Sequence, residues 1–202
     1  MSSHDRQPVA SVIVPTYRGV QRLPALIDAL AGQSPGTPPF EVIVVVDGED
    51  DGTVDLLDRE DRIDVHAIAF PENRGRVAAL NSGFDAARGE VLIRCDDDLV
   101  PDQDYIRFHV KGHTDGPTGV VGLYRNVFER TRYAAVYGEA ADHRFRAEAY
   151  AAPKYLRWRY WAGNCSINRA RRWAAMTPSS GTTDGKTSTS DTGSIARGCR
   201  WP

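Results

Sequence analysis

The sequence predicts an α/β fold in which a mainly parallel sheet is flanked by helices. Residues 11–15 and Phe40–Val46 form short β-branched runs that are typical of buried strands. Between them, apolar side chains recur at steps of three and four residues, as on one face of an amphipathic helix: Leu23, Leu26, Ile27 and Leu30. A strand, a helix and a second strand form a crossover unit, which places the two strands side by side and parallel.

The same alternation continues along the chain. The apolar residues of 54–57 predict a second helix, residues 65–70 a third strand, and residues 77–87 a third helix with Gly89 as its C-terminal stop. Residues 90–95 predict a fourth strand, which runs directly into Asp96, Asp97 and Asp98. Because the carboxyl ends of parallel strands share one edge of the sheet, we expect a ligand site at this edge.

Composition excludes several classes of protein. The chain has 202 residues, with Lys+Arg 25 against Asp+Glu 27 and a net charge of −2, which is not the charge of a general nucleic-acid binder. No apolar run approaches the roughly 20 residues that span a bilayer, and residues 1–10 contain no apolar secretion signal. Three scattered cysteines form no disulfide framework. We therefore expect a cytoplasmic protein without a membrane span and without a nucleic-acid partner.

Three adjacent carboxylates at a strand end, Asp96, Asp97 and Asp98, are costly to place together because like charges repel. A divalent cation would remove that cost, and hard carboxylate oxygens suit Mg²⁺ or Mn²⁺. Such an ion commonly takes its remaining ligands from water and a diphosphate. The alternative is a solvated acidic turn that caps the next helix.

Two further segments follow strand ends. Asp47 is followed by a turn-rich stretch, so it either contacts a ligand or caps the next helix. The segment Asn73-Arg74-Gly75-Arg76 precedes the third helix, where backbone amides and two guanidinium groups could receive a phosphate. Taken alone, such a segment is more often an ordinary loop.

Together these motifs resemble the family 2 glycosyltransferases of GT-A fold. The resemblance covers about residues 9 to 170 and rests on segments in the family's order and spacing: residues 11–17, residues 41–48, residues 73–75 with 81–83, and residues 96–101. It implies a GT-A (Rossmann-like) domain with a donor-binding half at about 9–101 and an acceptor-side part at about 102–170. Residues 1–8 would be an N-terminal tail. Val46 is a departure, because many members carry a second aspartate there.

The resemblance also implies roles for individual residues. Around the nucleoside and the phosphates of a nucleoside diphosphate sugar it places Pro15, Thr16, Tyr17, Asp47, Asn73, Arg74, Arg76, Asp96 and Asp97. It gives Asp96 and Asp98 to the DxD pair, which would hold ribose and a Mn²⁺ or Mg²⁺ diphosphate. On the acceptor side it places Trp161, Gly163 and Asn164. The implied reaction is an inverting sugar transfer to an acceptor hydroxyl, the acceptor being a saccharide, a lipid-linked molecule or a small molecule.

One part of the family pattern is missing. An aspartate base normally follows the acceptor-side turn in a motif resembling Glu-Asp-x-Asp, and no such motif follows Arg169. Instead, residues 177–194 contain only Thr, Ser, Gly, Asp, Lys and Pro, a composition that cannot contribute to a packed core. The catalytic base is therefore unknown, and residues 171–202 are predicted to form a disordered tail.

Codon arithmetic suggests a common cause for the missing base and the unusual tail. Codons built from the third base of one residue and the first two of the next must encode Gly at Trp173-Ala174 and Asp at Met176-Thr177. With permitted codon choices, the shifted frame can read Tyr-Gly-Trp-Glu-Asp-Val-Asp-Leu, which resembles the missing motif. The other shifted frame meets a stop at Met176-Thr177. We therefore predict a frameshifted, truncated family member, with a native low-complexity tail as the alternative.

Two other functions stay open at this point. One is a catalytically inactive remnant that binds the donor but lacks the base. The other is an unrelated metal-dependent nucleotide-binding protein. The P-loop-like residues 181–187 do not strengthen the latter, because they have three residues between their glycines where four are needed and no strand precedes them.

Overall fold

The computed structural model describes residues 7–48, 51–114, 119–128, 131–160 and 163–169. The strands in this part of the chain are β1 (Ala10–Thr16), β2 (Phe40–Val46), β3 (Val65–Ala69), β4 (Val91–Cys95), β5 (Gly119–Val121) and β6 (Asn164–Asn168). The helices are α1 (Leu23–Ala31), α2 (Thr53–Asp58), α3 (Arg76–Ala86), α4 (Tyr105–Lys111) and α5 (Glu139–Ala151). A π-helical turn, Ala134–Gly138, leads into α5, and a 3₁₀-helical segment, Lys154–Tyr160, follows it. The tail predicted at 171–202 lies outside the described residues.

The six strands form one sheet in the order β3-β2-β1-β4-β6-β5. The first four strands in this order are parallel to one another, whereas β6 runs antiparallel to both β4 and β5. This confirms the predicted α/β fold with a mainly parallel sheet and flanking helices. The chain moves outward in one direction from β1 to β3 and then returns to place β4 on the other side of β1. The carboxyl ends of β1 and β4 therefore flank a topological switch point, where open α/β sheets bind their ligands.

Both faces of the central strands are buried, which explains why most of their residues are apolar. On one face, β1 and β2 contribute valines that pack with the leucines of α1, including Leu26 and Leu30. On the other face, Ile13 and Ile43 pack with Ala79 and Leu80 of α3. Each fully buried leucine or isoleucine contributes about 1.5–3 kcal/mol through removal of apolar surface from water. The core thus fixes the strand ends that carry the polar residues.

Two predicted element ends were wrong. β1 does not stop at Pro15 but continues to Thr16. The Thr16 carbonyl faces β2, so the nitrogen of Pro15 faces β4, where pairing has already ended at Ile13. The missing N–H therefore costs no ladder hydrogen bond. Gly89 does not stop α3, which ends at Ala86. A Cβ at Gly89 would lie 2.6 Å from the carbonyl carbon of Ala10, so this glycine permits a close backbone approach.

Most of the exposed large apolar side chains lie between residues 127 and 155. They are Val127, Phe128, Tyr133, Val136, Tyr137, Phe145, Tyr150 and Tyr155. Among the described residues, no helix is both long enough and apolar enough to cross a membrane.

Candidate functional site

The carboxyl ends of β1, β2 and β4 are joined by hydrogen bonds at the switch point. The backbone N–H of Asp47, just after β2, donates to the Thr16 carbonyl at the end of β1 (2.8 Å). The Thr16 hydroxyl donates to Oδ2 of Asp97, just after β4 (2.5 Å). Residues from three strand ends therefore converge as the parallel topology predicts.

Asp97 is held by two groups of β1 and its following loop. Besides Thr16, its Oδ2 accepts a hydrogen bond from Nη2 of Arg22 (2.6 Å), and the same guanidinium nitrogen donates to the Tyr17 carbonyl (2.9 Å). The hydrogen bond to Asp97 raises the pKa of Arg22. The charge of this carboxylate is thus compensated within the protein, and Asp97 ties the triplet to the Tyr17 loop.

Asp96 has a different set of partners. Its two carboxylate oxygens accept hydrogen bonds from Nε and Nη2 of Arg94 (3.0 and 3.2 Å), and Nη1 of Arg76 lies 4.0 Å from Oδ2. Its backbone N–H donates to the Gly163 carbonyl (2.9 Å). A Cβ at position 163 would lie 2.3 Å from Oδ2 of Asp96, so only glycine fits beside this carboxylate. Asp98 is the exposed member of the triplet.

Asp47 is buried and organises the loop before α3. Its Oδ1 accepts a hydrogen bond from the backbone N–H of Arg74 (2.7 Å), and Nδ2 of Asn73 donates to its carbonyl (3.3 Å). The Arg74 guanidinium lies over the Phe70 ring, 5.0 Å from its centroid. The side chain of Asp47 therefore caps the 73–75 loop and not the helix α2. At the start of α2, Oδ1 of Asp51 accepts a hydrogen bond from the Thr53 hydroxyl.

The two described residues that are expected on the acceptor side, Gly163 and Asn164, lie beside the triplet. Gly163 contacts Asp96, and Asn164 opens β6 in register with Cys95. The Oδ1 atom of Asn164 accepts a hydrogen bond from Nε2 of His109 (2.8 Å), so this oxygen is engaged by the protein. Trp161 lies outside the described residues.

Comparison with known proteins identifies the family. The sequence matches the family described as Glycosyl transferase family 2 over residues 11–174. The chain belongs to glycosyl transferase family 2. The match spans the strands that carry the triplet, Asp47 and Asn164.

Among curated relatives, the chain is 39% identical over 114 residues to a dolichyl-phosphate beta-glucosyltransferase of Drosophila melanogaster, covering 50% of this chain and 35% of the relative. It is 34% identical over 117 residues to the uncharacterized glycosyltransferase YfnE of Bacillus subtilis, covering 57% of this chain and 30% of the relative. The chain thus spans about a third of the length of these relatives.

Solved structures share the fold. The mannosyltransferase PcManGT from Pyrobaculum calidifontis, in complex with GDP-Man and Mn²⁺, superposes with a TM-score of 0.65 at 22% identity, over 85% of this chain and 48% of the other. S. aureus TarS 1-349, in complex with UDP-GlcNAc, gives a TM-score of 0.51 at 23% identity, over 59% and 37% of the two chains. These likenesses support the GT-A fold predicted from the sequence.

Sequence reasoning missed several residues of this family 2 site. Arg22 and Arg94 pair with Asp97 and Asp96, and His109 of α4 lies behind Asn164 with only 3% of its surface exposed. Burial lowers the pKa of His109 to about 4. The four-residue spacing of Tyr105, His109 and His113 was the available signal, but residues at that spacing do not reveal their partners, and His113 lies two residues beyond the end of α4.

Loss of stability in mild acid is the expected consequence of the buried His109. Between pH 6.5, its ordinary pKa, and pH 4, the unfolded chain binds a proton that the folded chain does not. The free energy of unfolding therefore falls with decreasing pH, by about 1.4 kcal/mol per pH unit and about 3 kcal/mol in total. Urea unfolding at stepped pH measures this slope, and His109→Gln should flatten it. An unchanged slope in that variant would assign the acid sensitivity to other groups.

Asp47→Ala is expected to weaken binding of UDP about 10- to 100-fold, because the variant loses a charge-assisted hydrogen bond that holds the 73–75 loop. Dependence on a divalent ion should persist, since Asp47 and the triplet follow different strands. Calorimetric titration with UDP and Mn²⁺ measures both properties, and Asp55→Ala on the exposed side of α2 is the matched control. If the variant bound UDP as tightly as the unmodified chain, Asp47 would only stabilise the loop structure and would not contribute to nucleotide binding.

A second acidic cluster lies at the opposite end of the strands, where the parallel strands begin. One ligand atom each from Glu41, Asp64 and His66 fall within 4.8 Å of one another. However, Arg88 already donates to Glu41 (2.7 Å) and to Asp64 (2.9 Å), and a guanidinium in that position opposes a cation. Burial disfavours ionisation of Glu41, but the hydrogen bonds from Ser11 and Arg88 outweigh it and lower its pKa. This cluster joins the amino-terminal strand ends and is separate from the candidate site.

Proposed function

We propose that this family 2 protein transfers a sugar from a nucleoside diphosphate sugar, foremost a UDP-sugar, to an acceptor hydroxyl with inversion. The observation that carries the proposal is the convergence of Thr16, Asp47 and the Asp96–Asp98 triplet at the switch point of the sheet. Solved proteins of the same fold are described in complex with GDP-Man and Mn²⁺ and with UDP-GlcNAc, which supports a sugar nucleotide as ligand.

The residues at the end of β4 fit a divalent ion. They offer hard carboxylate oxygens, and the exposed Asp98 is the member of the triplet whose charge Arg94 and Arg22 do not compensate by direct pairing. Asp98, exposed to solvent, and Asp96 would hold Mn²⁺ or Mg²⁺, whereas Asp97 is committed to Thr16 and Arg22. When bound, the ion supplies charge neutralisation for the nucleoside diphosphate leaving group.

The protein's own groups bind and orient the donor. Pro15, Thr16 and Tyr17 lie at the end of β1. The Tyr17 side chain is exposed, and its ring could stack on a base from the face that the Arg18 guanidinium, 5.3 Å from the ring centroid, does not cover. Asp47 holds the loop of Asn73 and Arg74, and Arg76 at the start of α3 is exposed beside Asp96. Guanidinium groups at this edge suit phosphate oxygens.

On the acceptor side, Trp161, Gly163 and Asn164 are proposed to border the hydroxyl that receives the sugar. The acceptor is a saccharide, a lipid-linked molecule or a small molecule. Two cysteines, Cys95 and Cys165, are buried free thiols, which supports a reducing, cytoplasmic location.

Turnover of UDP-sugars with Mn²⁺ and with EDTA tests this function, together with calorimetric binding of UDP and ATP. Mn²⁺-dependent release of UDP from a UDP-sugar supports the proposal. Binding of UDP without turnover identifies an inactive donor-binding remnant, which the absence of an acidic motif after Arg169 favours as the second candidate. Preference for ATP over UDP would overturn both.

A further inference from the structure

A chain of buried hydrogen bonds connects α4 to β6 behind the candidate site. Nε2 of His113 lies 2.8 Å from Oγ of Ser166, which lies 2.8 Å from Nδ1 of His109. Nε2 of His109 lies 2.8 Å from Oδ1 of Asn164. All four side chains are buried. None of the expected roles of the family motifs uses the two histidines or the serine.

The chemistry of the four groups allows one arrangement of hydrogens when both imidazoles are neutral. Oδ1 of Asn164 can only accept, so Nε2 of His109 must carry the hydrogen. Nδ1 of His109 then accepts, and the Ser166 hydroxyl donates to it. The Ser166 oxygen in turn accepts from Nε2 of His113. The network therefore has a direction, and it ends on Asn164.

Asn164 is coupled to the Asp96 carboxylate through its neighbour. The Gly163 carbonyl accepts the backbone N–H of Asp96, and the Gly163 Cα packs so closely that a Cβ would overlap Oδ2 of Asp96. On the other side, the N–H of Gly122 donates to the Asn164 carbonyl (2.9 Å). Because Gly163 and Asn164 are consecutive, a shift of the Asn164 backbone also shifts the Gly163 carbonyl and Cα that contact Asp96.

We propose that His109 is a positioning residue of the donor site, which orients Asn164 and thereby fixes Gly163 against Asp96. The inference rests on the proposed function, since it assigns Asp96 to the donor. A positioning role and a packing role require different properties of the His109 side chain. Packing against the Tyr105 ring, whose centroid lies 4.7 Å from that of the His109 ring, needs only a side chain of sufficient bulk. Positioning of Asn164 needs one hydrogen-bond donor and one acceptor.

Three variants separate these roles. His109→Leu retains bulk and removes both hydrogen bonds, whereas His109→Gln retains one donor and one acceptor. His113→Leu is the matched control, because His113 contacts Ser166 but makes no hydrogen bond to Asn164 among the described residues. Cooperative melting of each variant establishes that it folds.

Amide hydrogen exchange tests positioning without any ligand. In His109→Leu, exchange of the Asp96 amide should accelerate about tenfold relative to the amides of β2, which is the effect of losing one hydrogen bond. In His109→Gln and His113→Leu it should stay within about threefold of the parent. Unchanged Asp96 exchange in a folded His109→Leu, or equal acceleration in the Leu and Gln variants, would overturn the proposal.

Two further measurements complete the test. Long-range ¹H–¹⁵N spectra of the parent chain should show His109 protonated at Nε2, and protonation at Nδ1 would overturn the proposal even if His109→Leu fails to fold. Calorimetry with UDP and Mn²⁺ should show about 10-fold or greater weakening in His109→Leu and recovery in His109→Gln. If the parent binds no UDP, the proposed function fails, while the exchange and tautomer results still decide whether His109 positions Asp96.

Discussion

Asp98→Asn is expected to abolish most of the gain in UDP affinity that Mn²⁺ confers, a loss of about 100-fold, whereas Asp97→Asn retains that gain. Mutation of residues that only hydrogen-bond to metal ligands typically lowers metal affinity or activity about 10- to 100-fold. Removal of a metal ligand itself should therefore cost about 100-fold. Asp98 is exposed, while Asp97 is engaged by Thr16 and Arg22. The triplet itself forms a turn, closed by the hydrogen bond from the Leu99 N–H to the Asp96 carbonyl (3.2 Å), so Asp97 and Asp98 differ through their partners and not through the alternation of an extended strand.

Calorimetric titration of UDP with and without Mn²⁺ measures the effect, with Asp102→Asn as a control that changes an exposed carboxylate on the same loop. Asp97→Asn should instead lower the melting temperature, because it weakens the ion pair with Arg22 (2.6 Å). Equal affinity of the parent chain for UDP in the two conditions would contradict the assignment of Asp98 to a metal.

The parallel half of the sheet could be predicted from the sequence because its strands are buried on both faces. Residues 42–46 of β2 are apolar on both faces, so this run is continuous and easily recognised. The β6 strand, Asn164–Asn168, carries Asn and Ser at buried positions and lies between β4 and β5, which are distant in sequence. Local pattern contains no information about such long-range antiparallel pairing.

The convergence of the acidic strand ends could be predicted from the sequence, but the partners of their carboxylates could not. Strand ends followed by Asp47 and Asp96 place acidic groups at one edge by topology alone. Asp97 pairs with Arg22, which lies in a loop 75 residues away in the sequence. Asp47 accepts a hydrogen bond from the backbone N–H of Arg74, which lies in another loop 27 residues away. Adjacent aspartates of identical chemistry are distinguished only by these tertiary contacts.

A chain read in the shifted frame after about Arg169 is expected to turn over sugar nucleotides about 10²- to 10⁴-fold faster than the 202-residue chain. The shifted frame can encode Glu-Asp-Val-Asp at the place where the family carries its base, and that factor is the typical contribution of a positioned base. It would also supply Trp, Val and Leu side chains. Such a segment could cover exposed apolar surface such as that of Tyr133, Val136 and Tyr137.

Expression of both versions tests this prediction by cooperative melting and by release of UDP from UDP-sugars, and the nucleotide sequence of codons 165 to 202 tests its premise. The matched controls are two variants of the restored chain, each with asparagine in place of one aspartate of the Glu-Asp-Val-Asp segment. If that segment carries the base, one of these variants should retain the melting temperature of the restored chain while its turnover falls to that of the 202-residue chain. Full activity of the 202-residue chain would show instead that residues 171–202 are native and that the base lies among residues already present. The agreement of the shifted frame with the family's acidic motif would then be a coincidence of codon degeneracy.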